Sequence, residues 1–111
     1  MKLITMTLCA SVLLVLAVPV QAAGDPKAGQ LKTSMCEGCH GIPGWRTAYP
    51  YVYSVPKLGG QHADYIVAAL KAYKDGERNH PGMKSIASGL SEQDMENLAA
   101  YYESSYTGPA N

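Results

Sequence analysis

Cys36-Glu37-Gly38-Cys39-His40 decides how the rest of this chain is read. Two thiols separated by two residues sit about one helical turn apart, and an imidazole follows the second directly. Three simple readings of the pair fall short. A redox dithiol of this spacing usually follows a strand in an α/β fold, and no strand pattern precedes Cys36. A zinc site wants a second ligand pair at metal spacing; there is no second Cys pair, and His62 and His80 make a poor one. A plain disulfide leaves His40 without a role.

C-x-x-C-H is the signature of covalent haem c attachment. Thiols one turn apart can add to the two vinyl groups along one edge of a porphyrin, and the adjacent His then aims its imidazole at the iron. The expectation is one covalently bound haem c per chain, with Cys36 and Cys39 as thioethers and His40 as proximal iron ligand. A tethered cofactor also suits so short a chain, because small domains build thin cores.

The chain has 111 residues, three of them Cys. The third, Cys9, lies in a leading segment with its own logic. Met1-Lys2 is a minimal positive start, Leu3 to Val20 is mostly apolar, and Val20-Gln21-Ala22 has the small residues of a processing site. The apolar run is interrupted by Thr5, Thr7, Ser11 and Pro19 and falls short of the ~20 residues of a membrane span. Residues 1–22 therefore read as a cleaved signal peptide and 23–111 as the mature domain. That implies export to the periplasm, no stable membrane insertion after cleavage, and an even pair of Cys. Nine basic residues balance nine acidic ones, and losing Lys2 tips the mature chain slightly acidic. A nucleic-acid binder would show a basic excess, so no nucleic-acid partner is expected. Hydrophobic residues make up 47% and charged ones 16%, which excludes compositional disorder.

The mature region reads as helices separated by loops, hence all-α. Asp25-Pro26 is a helix start, with a helix expected over Lys27 to Met35. Gly29 is costly inside it unless another backbone crosses closely. Gly41 to Gly60, with three Pro and four Gly, reads as an irregular loop. His62 to Lys74 is periodic through Tyr65, Ile66, Ala69, Leu70 and Tyr73, and Asp75-Gly76 ends it. Asn79 to Gly82 reads as a turn around Pro81, with a short helical turn over Lys84 to Ser88. Ser91-Glu92-Gln93-Asp94 caps a last helix carrying Met95, Leu98, Ala99 and Tyr102 on its apolar face.

In that order, Gly29, Cys36 to Gly41, Pro56-Lys57-Leu58-Gly59-Gly60-Gln61-His62, Tyr65 to Tyr73, Met83 and Leu90 to Tyr102 resemble class I cytochromes c. The likeness is strongest to one half of the bacterial periplasmic two-haem cytochromes c and covers nearly all of the mature chain. It implies three main helices and short turns wrapped around the haem, with the first and last helices crossing at Gly29 near Tyr101. It also implies that the Pro56 carbonyl accepts the second ring N–H of His40.

The sixth iron ligand decides the chemistry. Met83 lies in the turn-rich segment after the middle helix, where a thioether can swing over the distal face, and the resemblance matches it to that position. Met35 is tied to the same local backbone as His40, and Met95 lies on the apolar stripe of the last helix. His62 and His80 are the rival ligands. His/Met ligation leaves no open coordination position, so the iron cycles between Fe(II) and Fe(III) without binding substrate. The expected role is a one-electron carrier, not an enzyme, in a respiratory or dehydrogenase-linked chain with redox proteins as donor and acceptor. The alternative is a haem c subunit of a periplasmic enzyme complex such as a flavoprotein sulfide dehydrogenase; an oxidase is a further possible partner. Trp45 and Arg46, with Tyr49, Tyr51 and Tyr53, are candidates for the haem edge, Arg46 as the best cation for a propionate. Lys57, Lys71, Lys74 and Lys84 are candidates for a docking rim. Outward-facing rings over 49–53 would favour the subunit alternative.

Overall fold

The computed structural model describes residues 24–48 and 51–105. The expected signal peptide, residues 1–22, lies outside them. Five helices follow in order: α1 (Pro26–Gln30), α2 (Ser34–His40), α3 (Ala63–Asp75), α4 (Pro81–Ser88) and α5 (Glu92–Ser104). The described residues hold no strand; Arg46 and Ser54 meet only in a single antiparallel bridge. The all-α expectation holds, with more and shorter helices than expected.

Asp25 starts α1 by accepting the Lys27 amide at 2.9 Å, with Pro26 in the first turn. The helix expected through Met35 stops at Gln30 instead. Thr33 is the reason: its hydroxyl donates to the Gln30 carbonyl at 2.9 Å and the residue is buried. Such a local side-chain bond competes with helix continuation. The chain turns there and restarts as α2, which carries the whole C-x-x-C-H stretch.

The first helix lies on the last with backbones nearly touching. A Cβ on Gly29 would stand 2.0 Å from the Asn97 carbonyl oxygen. The Asp25 amide donates to Asn97 Oδ1 at 2.8 Å across the same contact. The expected crossing is present, with its closest approach at Asn97 and Leu98. Tyr101 packs its ring edge-on to Tyr102, centroids 5.2 Å apart.

Two further ends obey simple capping rules. Gly76 ends α3 in the left-handed conformation at φ 85°, as Asp75-Gly76 suggested. Ser91 and Asp94 exchange two 3.0 Å bonds to form the capping box of α5. At α4 the sequence reading fails. The helix begins at Pro81, so Met83 lies in its first turn rather than in a loop. Its cap is His80, whose Nδ1 accepts the Met83 amide at 3.1 Å; a His there and a Gly at 82 do not advertise a helix start.

Packing runs from α1 to α5, from α5 to α3, and from α3 to α4. The buried core is small: Ile66, Ala87, Leu90, Met95, Leu98 and Ala99. Met95 is fully buried, as expected of a core residue. Helix α2 has no buried residue. Its start is tied down by Lys32 Nζ, 2.7 Å from Asp94 Oδ1.

Two expectations follow. Gly29→Ala drives a methyl into the α5 backbone, so the loaded protein should lose about 1–3 kcal/mol or more in denaturant melts; an unchanged midpoint would mean the helices separate freely. The Lys32 ammonium, then the Ser91 amide and hydroxyl, hold the Asp94 carboxyl down at about 2. A carboxyl lowered on folding stabilises above its unfolded range, and that contribution is lost as pH falls through the folded value. NMR titration of the carboxyl should find Asp94 still ionised near pH ~3; a midpoint in the ordinary Asp range would mean no such pair forms.

Candidate functional site

What the small core leaves open is a cavity of about 800 Å³. Its wall is assembled from α2, the loop from Thr47 to Gln61, and the inner faces of α3, α4 and α5. Cys36, Cys39, His40 and Met83 all lie on it. So do Ile66, Leu70, Ile86, Leu90 and Leu98, which make its depth apolar. The size is that of a pocket for a large cofactor.

Local structure explains how the motif faces this space. Gly41 closes α2, its amide bonding the Glu37 carbonyl at 3.0 Å. His40 Nδ1 lies 2.7 Å from the Pro56 carbonyl oxygen. A carbonyl only accepts, so Nδ1 carries the proton and Nε2 keeps its lone pair, the form a metal ligand needs. Pro56 stands in a loop that folds back on itself: the Thr47 amide bonds the Tyr53 carbonyl, and the Val55 amide bonds the Trp45 carbonyl, each at 3.0 Å. Thr47 Oγ1 adds bonds to the Tyr51 carbonyl and the Tyr53 amide.

Cys36 is half-buried and Cys39 exposed. Burial pushes the Cys36 thiol up, a Tyr102 hydrogen bond pulls against it, and the Glu37 charge adds a smaller push upward. A redox dithiol needs a lowered thiol, so this environment does not suit that chemistry. Among the described residues no cluster of three or more His, Cys, Asp or Glu could hold a metal ion. The donor set fits a covalently tethered haem: two thiols, a properly protonated imidazole and a thioether around one apolar space.

The rival ligands fare differently. His62 is exposed, points toward Glu103 at 4.0 Å, and is not on the cavity wall. His80 is on the wall, but its Nδ1 is committed to the Met83 amide. Met35 also lines the cavity, from the same helix as His40.

The edge candidates are partly misplaced by sequence reasoning. Trp45 and Arg46 do not line the cavity. Trp45 is exposed, and Arg46 Nε donates to Ser54 Oγ at 3.3 Å. The bridge that closes the loop turns both outward. The cations on the wall are Lys57 and Arg78. Arg78 carries its guanidinium 4.5 Å from the Tyr73 ring centroid; its position just past a helix stop gave it no distinguishing pattern. Tyr49 lies outside the described residues. Tyr53 turns into the cavity and Tyr51 outward, so the rings of this stretch do not share one face. Of the lysines, Lys71 pairs with Glu92 at 3.2 Å and Lys74 bonds the Leu90 carbonyl, which gives both a structural use.

Comparison with known proteins bears on the whole domain. The family model described as Cytochrome c matches residues 27–105. Cytochrome c-554(548) of Halomonas halodenitrificans is 44% identical over 85 residues, covering 74% of this chain and 98% of that protein. Cytochrome c4 of Pseudomonas aeruginosa is 40% identical over 83 residues, covering 75% of this chain but 39% of that protein. The crystal structure of reduced recombinant cytochrome c4 from Pseudomonas stutzeri superimposes with a TM-score of 0.56 at 32% identity, over 76% of this chain and 51% of that one.

Proposed function

The chain belongs to the cytochrome c family, and on that premise we propose a role for each residue of the site. Bound there, haem c supplies an iron that takes up and gives up one electron. Cys36 and Cys39 would hold it through thioethers formed by their Sγ atoms. His40 would ligate through Nε2, and the Pro56 carbonyl would keep that ring from rotating. Met83 would ligate through its thioether. A soft neutral ligand of this kind favours the ferrous state and raises the potential. With His40 and Met83 both committed to the iron, the chain would leave no place there for a substrate, which supports a carrier rather than a catalyst.

One observation carries this reading: both thiols, His40 in the ligand-ready tautomer, and Met83 share a single apolar cavity. His62 lies off that cavity. His80 would have to give up its bond to the Met83 amide to present an unprotonated Nε2.

Residues 1–22 would serve as the export leader and 23–111 as the mature periplasmic domain. No helix among the described residues is long and apolar enough to cross a membrane. The carrier would take one electron from a respiratory complex or dehydrogenase and pass it to another redox protein. Arg78 and Lys57 replace Arg46 as the cations nearest the bound group, and Trp45 has no contact with it in this assignment.

Two substitutions test the assignment. Met83→Ala should abolish the far-red charge-transfer band of the ferric protein and let the ferrous protein bind carbon monoxide. The potential should fall by about 0.1 V or more, a modest part of the roughly 0.8 V that axial ligands span. A retained band would place the distal ligand elsewhere. Cys36→Ala with Cys39→Ala should leave a chain without covalent haem and, with the cavity unfilled, without stable helical circular dichroism. Native-like melting of that variant would show that the polypeptide core suffices alone.

A further inference from the structure

Met83 occupies the third position of α4, and the residue that begins this helix is a histidine. His80 is extended at φ −153° and ψ 102°, and its Nδ1 accepts the Met83 amide at 3.1 Å. Ser, Thr, Asp and Asn usually hold such positions because a short oxygen-bearing side chain reaches the amide directly. Here an imidazole does so, and its surroundings keep the ring from turning. Tyr53 lies against it with centroids 4.2 Å apart and planes tilted by 33°. Tyr73 meets it nearly edge-on at 6.1 Å. Gly82 leaves the space it occupies: a Cβ there would stand 3.2 Å from His80 Cε1 and 3.4 Å from Nδ1. Tyr53 also belongs to the loop whose Pro56 carbonyl holds His40. The two iron-ligand candidates are therefore joined through one short stretch, from Tyr53 to Pro56.

We propose that His80 is the positioning residue for Met83. Its Nδ1 sets the first turn of α4, and thereby the point from which the Met83 thioether enters the cavity. The stack on Tyr53 sets the direction of the Nδ1 lone pair and registers Met83 against the loop that orients His40. His80 touches no reacting atom itself; it acts through the Met83 backbone. The inference rests on Met83 being the distal ligand. It requires that the acceptor atom, not the ring alone, keeps Met83 in place.

The test uses ferric holoprotein titrated with imidazole, following loss of the far-red band as Met83 is displaced. His80→Phe keeps a ring to stack on Tyr53 and removes the acceptor. It should lower the imidazole concentration for half displacement on the order of fivefold, the size of one lost helix cap. His80→Asn removes the ring and restores an acceptor at the same position, and should return the midpoint close to that of the parent. A merely structural role for the ring predicts the reverse order. A His80→Phe midpoint equal to the parent's, or a His80→Asn midpoint as low as that of His80→Phe, overturns the proposal. Should His80→Phe fail to accumulate, Gly82→Ala serves instead. It leaves every ring in the chain and crowds only His80, so a lowered midpoint supports the proposal and an unchanged one overturns it. A parent protein without the band would remove the Met83 assignment and this inference together. A band in the parent with unresponsive variants removes this inference alone.

Discussion

A seven-residue helix with no buried side chain cannot hold its own position, and α2 is the helix that carries Cys36, Cys39 and His40. Helices this short are unstable by themselves. Packing must supply what length does not, yet the other helices pack on one another and leave α2 facing the cavity. The polypeptide anchors it at its two ends and at Cys36. At the start stand buried Thr33 and the ion pair from Lys32 to Asp94. At the end stands the bond from His40 to Pro56. Between them Cys36 leans on the cluster of Leu90, Met95 and Leu98. A haem in the cavity would give this helix the apolar partner it lacks, so attachment chemistry and folding share one interface.

The rest of the fold is the frame for that interface. Helix α5 is its spine: α1 crosses it at Gly29, α3 packs beside it, and its capping box and first-turn acids receive Lys32 and Lys71. Acidic side chains at a helix start also meet the positive end of the helix dipole. Ordinary surface ion pairs contribute little. Asp94 differs because the same carboxylate accepts from the Ser91 amide and from Lys32, which couples the cap of α5 to the turn that launches α2.

Much of this was legible in the residues, and the failures have physical causes. The spacing of Cys36, Cys39 and His40 announces its chemistry because covalent addition and iron ligation admit few alternatives. Gly29 announced a close crossing because nothing else justifies it within a helix. Thr33 hid its break, since a Thr in a helical run shows its hydroxyl bond only once the backbone is known. His80 hid the start of α4 for a related reason: the rings against its imidazole, Tyr53 and Tyr73, come from other elements of the fold. Arg46 was the candidate because a guanidinium pairs well with a carboxylate and it sits among aromatic residues; its bond to Ser54 leaves it off the cavity wall. Local chemistry was readable, whereas contacts that depend on where two loops meet were not.

The aromatic composition belongs to the same logic. The chain has eight Tyr and no Phe, and none of the described Tyr is fully buried. Tyr53, Tyr65, Tyr73 and Tyr102 instead line the cavity. A wall between a flat apolar cofactor and water needs rings that are greasy on one side and hydrogen-bonding at the tip. Tyr102 shows the division: its ring packs on the Leu90, Met95 and Leu98 cluster while its hydroxyl meets Cys36, and burial pushes that hydroxyl far above the usual tyrosine range. A Phe at such a place would cover the same area and leave the polar end unserved. The absence of Phe is thus what a domain shows when its largest apolar body is held by the chain rather than encoded in it.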